Sequence, residues 1–154
     1  FYVLTQSMCF RNLPIFKNMP KESFFSKCGD VFLISIMGQF GSYKYFDDIL
    51  PTAYRLHEKG VWGMKNEEER ATMVRVSFIQ LSKYFGRVAD RRMELYYAQM
   101  VLDTSKKLLK HQLENNTSLK NRLLVYKTYL FEHFIFQKPI IVLKLFYMNF
   151  FKKR

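Results

Sequence analysis

Residues 30–60, DVFLISIMGQFGSYKYFDDILPTAYRLHEKG, constrain this chain more than any other stretch. They read as a helix, a tight turn and a second helix. Asp30 is placed to cap the first helix, because a carboxylate there accepts N–H groups that the first turn leaves free. Val31, Phe32, Leu33, Ile34, Ile36, Met37 and Phe40 make that helix apolar on nearly every side, so neighbours must cover it. Gly41-Ser42 breaks the pattern. Asp47 or Asp48 then caps a second helix, with Pro51 tolerated in its first turn. Phe46, Ile49, Leu50, Ala53 and Leu56 or His57 share one face of it, and Gly60 ends it. One hairpin of this kind cannot bury its own apolar faces, so it needs another beside it.

The sequence supplies one about forty residues on. Asn66 caps a third helix, with Glu69 placed to complete a capping box. Glu67 and Glu68 suit the positive helix end, so the acidic run is capping chemistry and not a metal site. Ala71, Val74, Phe78, Leu81 and Phe85 follow at helical spacing, and Gly86 closes the helix. Asp90 lies near the start of a fourth, whose Met93, Tyr96, Tyr97, Met100 and Val101 form a stripe that extends through Leu108, Leu109 and Leu113. Asn115-Asn116 breaks it. Trp62, in the connector between the hairpins, is expected to plug the core, with a base-stacking platform as the alternative.

Shifting the first helix by 41 residues sets Leu33 on Val74, Met37 on Phe78, Gln39 on Gln80, Phe40 on Leu81 and Tyr43 on Tyr84. The second helices match at a shift of 43, with Leu50 on Met93, Ala53 on Tyr96 and Tyr54 on Tyr97. Periods in this range belong to helical solenoids. The endings Gln-Phe-Gly-Ser-Tyr and Gln-Leu-Ser-Lys-Tyr, each followed by a turn and an amphipathic helix, resemble the helical-hairpin repeats of organellar RNA-associated proteins. The heptatricopeptide repeats often found with RAP domains are the nearest pattern, over about residues 30–103. The resemblance implies a mitochondrial or plastid protein acting on RNA or within an RNA–protein particle. It carries over no base-reading residue.

The charge is divided unevenly. Residues 1–103 carry 14 Lys+Arg against 11 Asp+Glu, whereas residues 104–154 carry 11 Lys+Arg against only Glu114 and Glu132. The last third is therefore built to meet something anionic. Its cations are Lys106, Lys107, Lys110, Lys120, Arg122, Lys127, Lys138, Lys144, Lys152, Lys153 and Arg154. Each one placed on a phosphate releases condensed counterions. Lysines dominate, and they act as point charges, which suits backbone contact without choice of sequence. Tyr126, Tyr129, Phe134 and Phe136 are interleaved and either stack on bases or fill a core. Thr117 or Ser118 caps a fifth helix through Leu119, Leu123, Tyr126, Leu130 and His133 or Phe134. Pro139 opens a last apolar segment, Ile140 to Phe151, too short for a convincing membrane span but suited to an interfacial or docked helix.

Three parts result: an irregular arm over 1–29 with Phe10, Leu13, Ile15 and Phe16 as docking residues, a helical-hairpin domain over 30–103, and a basic, aromatic-rich helical extension over 104–154. The expected fold is all-α, with two stacked, solenoid-like helical hairpins followed by that extension. A composition of 49% hydrophobic residues with 6 Gly and 4 Pro fits long helices. Phe1 in first position fits a processed product or part of something longer, including one with a removed organelle presequence. Cys9 and Cys28 have no metal-ligand spacing and stand either as two thiols or as one disulfide. His57, His111 and His133 are isolated, and no nucleotide-binding, nucleophile-elbow or zinc-protease motif is present. No catalytic residue, metal, cofactor or small-molecule substrate is expected. The leading expectation is a structural subunit of the mitochondrial ribosome, with ribosomal RNA and neighbouring ribosomal proteins as partners. The alternative is an accessory subunit of a mitochondrial membrane complex, such as ATP synthase or the respiratory chain, with its apolar C-terminal helix at the membrane.

Overall fold

The computed structural model describes residues 8–50, 60 and 62–115, and the described chain is all-α. Three helices carry it: α1 (Gly29–Met37), α2 (Glu67–Arg87) and α3 (Arg91–Asn115). Short 3-10 turns at Pro14–Phe16, Lys21–Phe25 and Gly38–Phe40 complete the order. The body of the expected helix after Pro51, the fifth helix and the terminal apolar segment all lie outside the described residues.

α2 is the element on which the rest packs: it touches α3, α1 and the Lys21–Phe25 turn. Its start follows the expected chemistry. Asn66 Oδ1 accepts from Glu69 N–H at 2.8 Å, and Glu69 Oε2 accepts from Asn66 N–H at 3.0 Å, closing a capping box. Its end does not. Gly86 sits inside the last turn, and the left-handed residue that stops the helix is Ala89, at φ 60°. Ala89 N–H bonds Gly86 O at 3.3 Å and Asp90 N–H bonds Phe85 O at 2.9 Å, the paired bonds of a Schellman motif. A Cβ on Gly86 would meet only the end of the Glu94 side chain, at 3.3 Å. Asp90 then starts α3, accepting from Met93 N–H at 3.1 Å. α3 runs unbroken to Asn115 and through residues 103–104, where the charge balance changes.

The core is a run of aromatic rings between α1, α2 and α3. Phe32, Ile36, Leu81 and Phe85 are fully buried, with Tyr84 and Tyr97 beside them. Phe32 meets Tyr84 edge-on at 5.9 Å, Tyr84 meets Phe85 at 5.1 Å, and Phe85 stacks on Tyr97 at 5.5 Å. Offset and edge contacts of this kind add to what burial alone contributes. Gln39 Nε2 donates to the Tyr84 hydroxyl at 3.0 Å, and Ser35 bonds the Tyr97 hydroxyl, so the rings' polar tips are satisfied. Burial pushes the Tyr97 phenol up, while the Ser35 bond pulls it part of the way back. Ile15 and Met19 of the arm pack on the same cluster.

α1 departs from expectation at both ends. It begins at Gly29, with Cys28 as N-cap and no side-chain cap. Asp30 therefore falls in the first turn, where its Oδ1 accepts from Val31 N–H at 2.9 Å. The helix stops at Met37, and Phe40 is 51% exposed where its counterpart Leu81 is fully buried. Gly41, at φ 149°, turns the chain away after a single 3-10 turn, whereas α2 meets no glycine before Gly86. Asp47 and Asp48 lie in a turn, with Ile49 and Leu50 exposed. Trp62 is 44% exposed and does not plug the core; the Arg70 guanidinium covers one side of its ring at 5.7 Å.

Ser77 joins the parts. Its fully buried hydroxyl accepts from Lys27 N–H at 3.1 Å and Cys28 N–H at 2.8 Å, and donates to Met73 O at 3.1 Å. That fills its hydrogen-bonding capacity, so Ser26, 2.9 Å away, directs its own proton to Cys28 O at 3.1 Å. Ser77→Ala strands two N–H groups and is expected to cost about 2–3 kcal/mol in chemical denaturation; a loss below about 0.5 kcal/mol would show that water replaces the hydroxyl. Ala89→Gly relieves the left-handed strain and is expected to stabilise by about 1 kcal/mol in the same assay.

Candidate nucleic-acid interface

α3 presents two different faces. Val101, Leu102, Ser105 and Leu109 are buried, while Lys106, Lys107 and Lys110 are exposed. Lys110 lies three residues from Lys107 and four from Lys106, which puts its Cβ about 5–6 Å from each of theirs. Like charges so placed repel slightly and contribute nothing to the helix themselves, which leaves them available to a polyanion. Two carboxylates flank them. Lys110 Nζ lies 3.8 Å from Glu114, one turn on, and Asp103 accepts from Gln99 Nε2 at 3.0 Å, one turn back. The Lys110 pair is exposed on both sides, so water and salt screen it. The other expected cations, Lys120, Arg122, Lys127, Lys138, Lys144, Lys152, Lys153 and Arg154, lie outside the described residues.

Glu68 faces two side chains at this end of α3. Gln112 Nε2 donates to Glu68 Oε1 at 2.7 Å, and His111 Nδ1 lies 3.7 Å from Glu68 Oε2. Glu68 thus clamps the partner helix besides sitting in the first turn of its own, and His111 is not isolated. The spacing of Lys106, Lys107 and Lys110 was legible from helical periodicity. The clamp was not, because its partners are 44 residues apart.

The opposite end of the hairpin carries a cluster that sequence reasoning missed. Glu22, 5% exposed, accepts two bonds from Arg87: Nε to Oε1 at 2.8 Å and Nη2 to Oε2 at 2.9 Å. The Arg87 guanidinium also lies 5.5 Å from the Tyr84 ring centre. Arg87 occupies the last turn of α2, where a cation also favours the helix dipole. The paired guanidinium holds the Glu22 carboxyl below its ordinary range, against the upward push of burial. An open groove of about 500 Å³ lies beside this pair, lined by Asn18, Pro20, Lys21, Tyr84, Arg87 and Val88.

Among the described residues, no group of three or more His, Cys, Asp or Glu side chains is placed to hold a metal. Cys9 and Cys28 are separate free thiols, and burial pushes the Cys28 thiol up, away from the reactive thiolate. No described helix is long and apolar enough to cross a membrane. No protein-family model, curated protein or solved structure matches this chain.

The Glu22–Arg87 pair gives the fold an acid-side dependence. With the folded carboxyl titrating below its ordinary value of 4.5, the pair's stabilisation is complete above that value and is lost as pH falls through the lower, folded one. Glu22→Gln removes this proton linkage. Urea midpoints between about pH 7 and about pH 3 should fall less steeply in the variant than in the parent; parallel profiles would show that the pair is not linked to folding.

Proposed function

We propose that this protein is a structural subunit of an organellar ribonucleoprotein, the mitochondrial ribosome in its most specific form. It holds ribosomal RNA phosphates through the basic region after residue 104 and packs on neighbouring proteins through its helical hairpins. The observation that carries the reading is the placement of Lys106, Lys107 and Lys110 on the exposed face of a helix whose other face is packed. The helix fixes where the three stems start, while each exposed lysine still gives up side-chain freedom on meeting a phosphate; counterion release supplies the binding free energy. The chain's net charge of +12, concentrated after residue 104, extends the same logic to the remaining cations.

Protein neighbours are supported by a second observation. Phe24, Phe25, Tyr45, Ile49 and Leu50 are each 65–87% exposed, and Leu95 and Tyr96 are half-exposed on α3. Large apolar side chains in such number on the surface are characteristic of a chain that sits among others. The resemblance to heptatricopeptide-type hairpins agrees with a place in organellar RNA biology. The membrane-complex reading rests on the apolar run 140–151 alone.

Replacing Lys106, Lys107 and Lys110 together by alanine tests the assignment. The variant is expected to retain its fold, since all three side chains are exposed. Its affinity for a single-stranded RNA should fall less steeply with salt, the slope of log K against log salt shrinking by roughly 2 for three lost phosphate contacts. Its incorporation into the particle should weaken as salt is raised. An unchanged slope together with unchanged incorporation would remove phosphate contact from this face of α3.

A further inference from the structure

The geometry points to a second phosphate-binding site at the tip of the α2–α3 hairpin, so that one RNA backbone is held at both ends of α3. This inference rests on the RNA reading above and adds to it a site that the basic C-terminal third does not contain.

The groove bordered by Asn18, Lys21 and Arg87 is its centre. Arg87 is preorganised there, with its plane fixed by two bonds to the buried Glu22 carboxylate and by the Tyr84 ring. A guanidinium already held in place loses little side-chain freedom on meeting a phosphate. The Glu22 pair neutralises much of its charge, however, so the attracting field must come from its surroundings. Those are basic. Lys17 and Lys21 are exposed on the arm, Lys83 is exposed one turn before Arg87, and Arg92 is exposed in the first turn of α3. With Arg87 and Arg91 these make six cations around the tip, against the carboxylates of Glu22, Asp90 and Glu94. Glu94 is committed to Arg91 at 2.7 Å. Asn18 contributes an amide that can donate to a phosphate oxygen.

The shape selects the class of ligand. The groove is open to solvent rather than enclosed, which suits a chain laid across it better than a small anion trapped within it. The distance then selects the chain. Arg92 and the Lys106–Lys110 turn lie 14 to 18 residues apart on one continuous helix, which is about 21–27 Å at 1.5 Å per residue. At about 3.4 Å per stacked nucleotide, a strand of roughly seven nucleotides spans both sites. A fixed spacing of this kind would give the protein a preference for RNA length without any preference for sequence.

The test uses the full chain and fluorescein-labelled oligoadenylates, which stack, of about 4 and about 20 nucleotides, by anisotropy over a salt series. Lys21→Ala with Arg92→Ala removes two exposed cations and leaves the Glu22–Arg87 pair intact, and an unchanged thermal midpoint will verify the fold. With the longer RNA, the double variant should lose roughly three- to tenfold in affinity at low salt, and its salt slope should shrink by about 1.4. With the shorter RNA, which cannot reach both sites, the parent's slope should already be the smaller one. An unchanged slope with the longer RNA would overturn the tip site. If the Lys106, Lys107 and Lys110 variant still lost slope in that case, the RNA reading would stand without it. If the parent bound neither RNA, both would fall. Tighter binding of polyglutamate than of RNA at equal salt, lost in the double variant, would also overturn the proposal, by making the tip a site for an acidic protein segment.

Discussion

The hydroxyl of Ser77 is where the separate parts of this chain become one structure. It lies fully buried near the middle of α2 and takes the backbone N–H groups of Lys27 and Cys28, which would otherwise be left unpaired between arm and helix. Cys28 is the N-cap of α1, so this one oxygen fixes where that helix starts and how the arm enters it. α1 is only 9 residues long and lies below the length at which a helix persists alone in water. Its persistence depends on Phe32 and Ile36 reaching the rings of Tyr84, Phe85 and Tyr97. The Ser77 bonds hold it in the position from which they reach.

The α2–α3 hairpin is the frame on which charge is displayed. At one end Glu68 clamps Gln112 and His111, and at the other the Schellman turn through Ala89 and the Asp90 cap join the helices within three residues. Both ends are therefore fixed, and so is the spacing of whatever projects from them. Lys106, Lys107 and Lys110 lie toward the first end, and the arm brings Lys21 to the second. The Glu22–Arg87 pair is what keeps the arm there. It joins residues 65 positions apart, and its buried carboxylate would be costly without the guanidinium.

What the sequence made legible was local. The Asn66–Glu69 capping box, the Asp90 start of α3 and the extension of α3 through Leu113 all rest on signals three or four residues apart, and each stands as expected. So does the all-α class. Glycine punctuation misled at the end of α2: Gly86 lies inside the last turn, and a strained Ala89 takes the left-handed position. Asp30 looked like a cap because the apolar run begins after it, but the Ser77 bonds to Lys27 and Cys28 set the helix start earlier. Trp62, expected to plug the core from the connector between the hairpins, is 44% exposed and has an arginine over its ring instead. The exposure of three lysines followed from helical periodicity. The tip cluster did not, because it is assembled from an arm and a hairpin that only tertiary packing brings together.

The central claim, that this chain belongs to an RNA–protein particle, is tested most directly by sedimentation of detergent-solubilised mitochondria with and without RNase. Co-migration with ribosomal RNA that collapses after RNase is the result this account predicts. Migration with a membrane complex that RNase leaves intact would contradict it, and the positive charge would then belong to a lipid or protein contact.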